Sequence, residues 1–383
     1  MKKRKNKKSE RVSVLLLSFL VFLLGACIED GSIKIGFSGH LSGRHSDLGV
    51  QGRNGVELAV EAINRRGGVG GRKLELIVED DKNSLNGALE ADKRLIERGV
   101  AAIIGHMTSS QTLGVLPIME KARVPLISPT SSSSLLSNSD DVLFQLNQTS
   151  KRNVTMMARY VSQNMGVSKV GIVYDIQNQA FSAPYSYDFA ASFRGTGGEV
   201  PFFYLYSPEE GFNWNEFVSL VEDHQVEAIL FVTSAADTAA FAQDIRAHQM
   251  ELHLLSSGWA FTNKLLQYGG GAIEGMLFAD SFNIDSESDR LQEFKREYHD
   301  RYGAQANFAA VQAYESVLLL VEGLRRRKQH DGDLLAALRS VRCIEGVSGE
   351  LCFNEYGEVI RPCSIIQVKN GSFQTVATMS EKK

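Results

Sequence analysis

The chain has 383 residues, with 41 Lys and Arg against 45 Asp and Glu and a formal net charge of −4 at pH 7. That length exceeds what one hydrophobic core usually serves, so two domains are expected. An acidic balance argues against nucleic acid and against anionic membrane surfaces as partners.

The basic residues Lys2, Lys3, Arg4, Lys5, Lys7, Lys8 and Arg11 are followed by an apolar run, Val12 to Leu24. The run is too short to span a bilayer and reads as the core of a signal peptide over residues 1–26. It ends in Leu24-Gly25-Ala26-Cys27, which resembles a bacterial lipobox. The resemblance implies lipid on the Cys27 thiol, tethering the mature chain to the extracytoplasmic side of a membrane in the cell envelope. In a diderm cell that space is the periplasm. Removing the segment takes away seven basic and one acidic side chains and brings the net charge to about −10. No later segment has 18 consecutive apolar residues, so no further span is expected. Cys343, Cys352 and Cys363 remain; an oxidising compartment allows one disulfide among them, and their spacing leaves the pairing open.

From Ile33 onward short apolar runs alternate with amphipathic stretches. Strands are predicted at Ile33–Ser38, Lys73–Glu79, Ala101–Gly105, Pro125–Ser128, Lys169–Tyr174, Val200–Tyr206, Ala228–Thr233, Leu252–Ser256 and Glu274–Ala279. Helices are predicted at Gly52–Arg66, Leu85–Arg98, Ser150–Met165, Trp214–His224 and Ala236–His248. In the first helix Val56, Ala59, Val60 and Ile63 fall on one face. This alternation predicts mostly parallel sheets covered on both sides, with ligands at the carboxyl ends of the strands. Two consecutive helices, Ser286–Tyr302 and Phe308–Arg326, then precede a hairpin of Gly349–Phe353 and Val359–Val368 turning at 354–357. That late change implies a chain that passes between two lobes more than once.

The stretch Gly105-His106-Met107-Thr108-Ser109-Ser110 ends one strand and opens a helix. Ile127-Ser128-Pro129-Thr130-Ser131-Ser132 ends the next strand. Either alone reads as helix capping. Together, at adjacent strand ends, hydroxyls and open backbone N–H groups form a cradle for a carboxylate.

With Leu41-Ser42-Gly43, Gly55, Ala59, Asn64, Gly67-Gly68-Val69-Gly70-Gly71, Glu79-Asp80-Asp81 and Ile273-Glu274-Gly275 added, residues 32–370 resemble the type I periplasmic solute-binding proteins of ABC importers. The leucine/isoleucine/valine-binding branch is the nearest in character. The resemblance implies an α/β fold of two Rossmann-like lobes with mostly parallel sheets and three crossovers, closing on a ligand by hinge motion. Lobe I is expected to comprise 32–147 and 279–345, and lobe II 148–278 and 346–380. The carboxylate-holding positions of the family match Ser109 and Ser132, with the backbone of Thr108 and Thr130 beside them. Phe181 matches the covering aromatic ring, without its hydroxyl. Leu48, Ser234 and Ala309 match pocket positions, and Trp259 stands beside the cleft. The acid that pairs with a ligand ammonium should fall at Gly258, where a glycine cannot neutralise a cation. Unless Asp237 or Glu315 takes that role, preference should move to a carboxylic acid or amide with an apolar body.

The remaining motifs carry less. Gly67–Gly71 follows a helix and lacks the P-loop lysine, so it reads as a cap and turn. Asp80 and Asp81 read as a solvated strand end. His40, His45 and His106 have no nucleophile elbow or zinc motif beside them, so an enzyme is not expected, nor a cofactor or metal. The reading is a lipid-anchored, monomeric substrate-binding protein that carries a small carboxylate-bearing solute to an inner-membrane ABC permease. Alternatives of the same fold are a ligand-sensing receptor domain and a lipoprotein that activates a penicillin-binding protein by contact.

Overall fold

The computed structural model describes residues 31–43, 46–283 and 285–379, so the signal segment, Cys27 and His45 lie outside the described residues. The first sheet is wholly parallel, in the order β2-β1-β3-β4-β5. Its strands are β1 (Ile33–Gly39), β2 (Leu74–Asp80), β3 (Ile103–Ile104), β4 (Leu126–Ser128) and β5 (Leu143–Gln145). The helices α1 (Asp47–Arg65), α2 (Leu85–Glu97) and α3 (Ser109–Ala122) connect them. Val56, Ala59, Val60 and Ile63 of α1 are all buried, as the periodicity predicts.

The chain then builds a second sheet through α4 (Lys151–Met165), β6 (Val170–Asp175), α5 (Gln179–Arg194), β7 (Phe203–Tyr206), α6 (Trp214–His224), β8 (Ala228–Val232), α7 (Ala235–Ala247), β9 (His253–Ser256), α8 (Asn263–Gly269) and β10 (Leu277–Asp280). It returns to pack α9 (Asp289–Tyr302) and α10 (Phe308–Arg326) against α1. At Gly55 a Cβ would lie 2.1 Å from the carbonyl oxygen of Ala310, so glycine is what lets α1 and α10 approach.

After α11 (Leu334–Arg339), a three-stranded antiparallel sheet forms from β11 (Cys343–Glu345), β12 (Glu350–Phe353) and β13 (Val359–Ile360). A Gln145–Glu358 bridge ties it to the edge of the first sheet. The chain crosses a third time to add β14 (Cys363–Lys369) antiparallel to β10, and β15 (Ser372–Met379) antiparallel to β14 at the sheet edge. The single predicted strand Val359–Val368 is therefore two strands in different sheets, parted at Arg361-Pro362 because Pro362 has no N–H for a ladder. Of the three cysteines, Cys343 and Cys352 face each other across β11 and β12 and are bonded, and Cys363 is buried and free. Among the described residues no helix is long and apolar enough to cross a membrane.

Candidate functional site

The carboxyl ends of β3 and β4 hold the two predicted loops side by side. Thr108 stands at the N-cap of α3, yet its side chain makes no cap bond; its hydroxyl meets Gln111 instead. The N-terminus of α3 is thus left without a side-chain cap from Thr108. Inner hydroxyls knit the loops together: Ser128 donates to the carbonyl of His106 at 2.9 Å, Thr130 to that of Met107 at 2.7 Å, and Thr112 pairs with Ser131 at 2.7 Å. Ser109 and Ser132 engage no other described side chain and line a cavity between the two sheets.

Below the loops His106 is fully buried, with Nδ1 2.8 Å from Asp81 and Nε2 3.1 Å from Asp92. Burial alone would lower its pKa, but the charges and hydrogen bonds of Asp92 and Asp81 outweigh that and push it up to about 10. His106 is thus held between two carboxylates under the binding loop. Asp81 is buried in this pair, contrary to the expectation that it is solvated, because it lies under the turn from β2 to α2 and beside β3. Asp80 stays near the surface and accepts from the backbone of Leu41 and the hydroxyl of Ser42.

The facing wall belongs to the second sheet and its helices. Phe181 and Trp259 meet edge to face, with centroids 6.2 Å apart. Tyr185, one turn along α5 from Phe181, lines the same cavity, and its hydroxyl is buried. Leu48 and Phe308 close the apolar side, and Asn147, Ser150, Asn153 and Asn178 add polar groups. As the side chains stand, the cavity volume between them is about 30 Å³. The two walls touch over it: Ser110 accepts from the amide of Ala180 at 3.1 Å, its own amide donates to Asn178 at 3.2 Å, and Ser133 donates to the carbonyl of Ala180.

Seven predicted pocket residues meet here: Leu48, Thr108, Ser109, Thr130, Ser132, Phe181 and Trp259. Ser234 does not. It caps α7, accepting from the amide of Asp237 and donating to the Asp237 carboxylate. Ala309 is replaced at the wall by its neighbour Phe308. Asp237 also accepts from Tyr206, and Glu315 is held by Arg361 at 2.9 Å and by Ser348. Neither acid lines the cavity.

The charged residue that does is Asp280, which the sequence reading passed over. It ends β10 beside β9, and a Cβ placed on Gly258 would lie 2.1 Å from its Oδ2. Its Oδ1 accepts from the amide of Phe282 at 2.8 Å. Burial pushes the carboxyl up to about 6, against the opposing pull of the Phe282 and Ser281 amides and the Arg361 charge. The signal was present: an acid at the carboxyl end of the strand next to the one that ends before Gly258.

Two sheets of Rossmann-like order, crossed three times and enclosing one polar-and-aromatic cavity at their strand ends, define a two-lobed solute-binding protein. The sequence profile of the family described as periplasmic binding protein matches residues 32–372, and the chain belongs to that family. It is 21% identical, over 86% of its length and 87% of the relative's, to a leucine-, isoleucine-, valine-, threonine- and alanine-binding protein of Pseudomonas aeruginosa. The fold superposes on a leucine-binding protein from Thermotoga maritima with a TM-score of 0.83 at 23% identity, covering 91% of this chain and 98% of that one. A solute-binding protein of an ABC transporter from R. palustris, in complex with benzoate, matches with a TM-score of 0.81 at 18% identity, covering 92% and 98%.

Proposed function

We propose that this protein captures a small carboxylate-bearing organic solute between its lobes and delivers it to an ABC permease, without chemistry of its own. One observation carries the reading: Ser109 and Ser132, whose hydroxyls engage no other described side chain, line one cavity with Phe181 and Trp259, at a helix N-terminus that Thr108 does not cap. The hydroxyls and amides orient the anionic end, and the rings cover the rest. The named relatives bind amino acids or, in one structure, benzoate, and both classes carry the carboxylate that this cradle suits.

We assign lobe I to the first sheet with α9–α11 and lobe II to the second sheet. The Gln145–Glu358 bridge favours placing the last crossing after Ile360 rather than at 345. Lipid on Cys27 completes the reading as an extracytoplasmic tether, and Cys27→Ala should leave an uncleaved precursor. A mature chain without acyl groups by mass spectrometry would remove the tether from the proposal. For the cradle, Ser109→Ala and Ser132→Ala should each weaken solute binding by about 1.5–3 kcal/mol, the range for hydrogen bonds to a charged group. Calorimetry showing unchanged affinity in both variants would place the carboxylate elsewhere.

A further inference from the structure

The segment between β5 and α4, which first carries the chain from one sheet to the other, has two faces. Asn147 and Ser150 line the cavity, whereas Gln148 and Thr149 line a separate groove of about 640 Å³. One wall of this groove is α4, and the other is formed by Ser137, Asn138 and residues between 354 and 360. A 2.6 Å hydrogen bond between Ser137 Oγ and Thr149 Oγ1 fastens the seam between them. Lys151, Arg152 and Arg159 all line the groove, and Lys151, Thr155 and Arg159 recur every fourth residue along one face of α4. Against these three cations stands one acid, Glu358, whose oxygens are taken up by the Asn138 amide at 2.6 Å and by Asn354 Nδ2 at 2.8 Å. The groove is thus positive in a chain whose formal net charge is −4.

Two features of the groove lack a counterpart within the fold. Lys151 and Arg152 occupy the first turn of α4, where positive charge opposes the helix dipole, and that turn holds no acidic residue. Gln148 is 8% exposed and its Oε1 accepts from the Arg361 amide at 2.6 Å, but its Nε2 is buried with no hydrogen-bond partner among the described residues. A buried donor left unmade is costly, and an anion would satisfy it and the helix end together. Beside the cations the groove is apolar: Met156 and Val359 are buried in its walls, and Ile360 is 55% exposed. We propose that this groove is a second ligand site, separate from the cavity, and that it takes a phosphate monoester with an apolar body. A phosphate dianion matches the excess of two positive charges, and its oxygens suit guanidinium, ammonium and amide donors. The apolar body covers Ile360 and Val359. A soluble ester and a lipid headgroup present this same chemistry.

The test is calorimetry on the whole protein with phenyl phosphate, inorganic phosphate, benzyl alcohol and dihexanoylphosphatidic acid. Phenyl phosphate should bind at one site per chain, about 10-fold or more tightly than inorganic phosphate or benzyl alcohol, each of which carries only half of the recognised chemistry. Lys151→Ala combined with Arg159→Ala should weaken phenyl phosphate by about 10-fold or more. Both side chains are exposed, so urea unfolding of that variant should match the wild type. Gln148→Glu keeps an acceptor for the Arg361 amide and removes the donor, and it should weaken phenyl phosphate as well. Tighter binding of dihexanoylphosphatidic acid than of phenyl phosphate would support a lipid headgroup as the source, and the reverse order a soluble ester. Phenyl phosphate that does not bind, that is matched by either half-molecule, or that binds the double variant as it binds the wild type overturns the inference.

Discussion

Replacing Asp280 by Asn should make the unliganded protein more stable at neutral pH. The carboxyl ordinarily titrates near 3.8 and is pushed by burial up to about 6 in the fold. Two pH units correspond to about 3 kcal/mol of preference for the protonated form in the native state. Below pH 3.8 the group is protonated folded and unfolded alike, so it costs nothing. Between 3.8 and 6 the unfolded chain releases its proton first, and the penalty grows. Above 6 it stands in full. Asparagine keeps an oxygen for the Phe282 amide and is never charged, so the variant escapes the penalty. Urea unfolding at pH 7.5 should show Asp280→Asn more stable than wild type by about 3 kcal/mol, and at pH 4 the two should nearly coincide. A variant no more stable at pH 7.5, or a gain equal at both pH values, would refute the view that Asp280 is held as a desolvated acid.

The ion triad under the binding loop should show the opposite pH dependence. The His106 pKa is raised to about 10 in the fold, so the stabilisation is full below pH 6.5 and is lost as pH rises toward 10. Wild type and His106→Asn should therefore differ most in urea unfolding at pH 6 and converge by pH 10.5; a constant gap would show that the proton is not involved. Opening the Cys343–Cys352 bridge, which spans a sequence separation of 9, should cost about 2–3 kcal/mol from the loop-closure entropy of so short a ring. Cys343→Ser with unchanged urea stability would contradict that estimate. Trp259→Ala should weaken solute binding by more than about 1 kcal/mol through lost apolar cover, and calorimetry with unchanged affinity would move Trp259 out of the site.

Much of the fold was legible because periodicity and strand–helix alternation are local. The α1 face and the placement of strands in both sheets follow from them. The short elements β5, α8 and β11, and helix α5, carry weaker patterns and were not predicted. At the site, Ser109, Ser132, Phe181 and Trp259 were found because motif and resemblance mark strand ends one at a time. Asp280 was missed because nothing in the segment Phe278-Ala279-Asp280 says which neighbour it faces, and attention fell on Asp237 and Glu315 instead.

By itself, then, the chain's order of residues determined the class of fold, the acidic surface, the hydroxyl loops and the aromatic cover. These depend on spacing within one segment, where chain connectivity already sets which side chains share a face. Tertiary structure alone decided that Cys343 joins Cys352, that Asp81 and Asp92 clamp His106, and that the carboxylate absent at 258 is present at 280. Each is a pairing between segments brought together by sheet register, and register depends on the packing of the whole core.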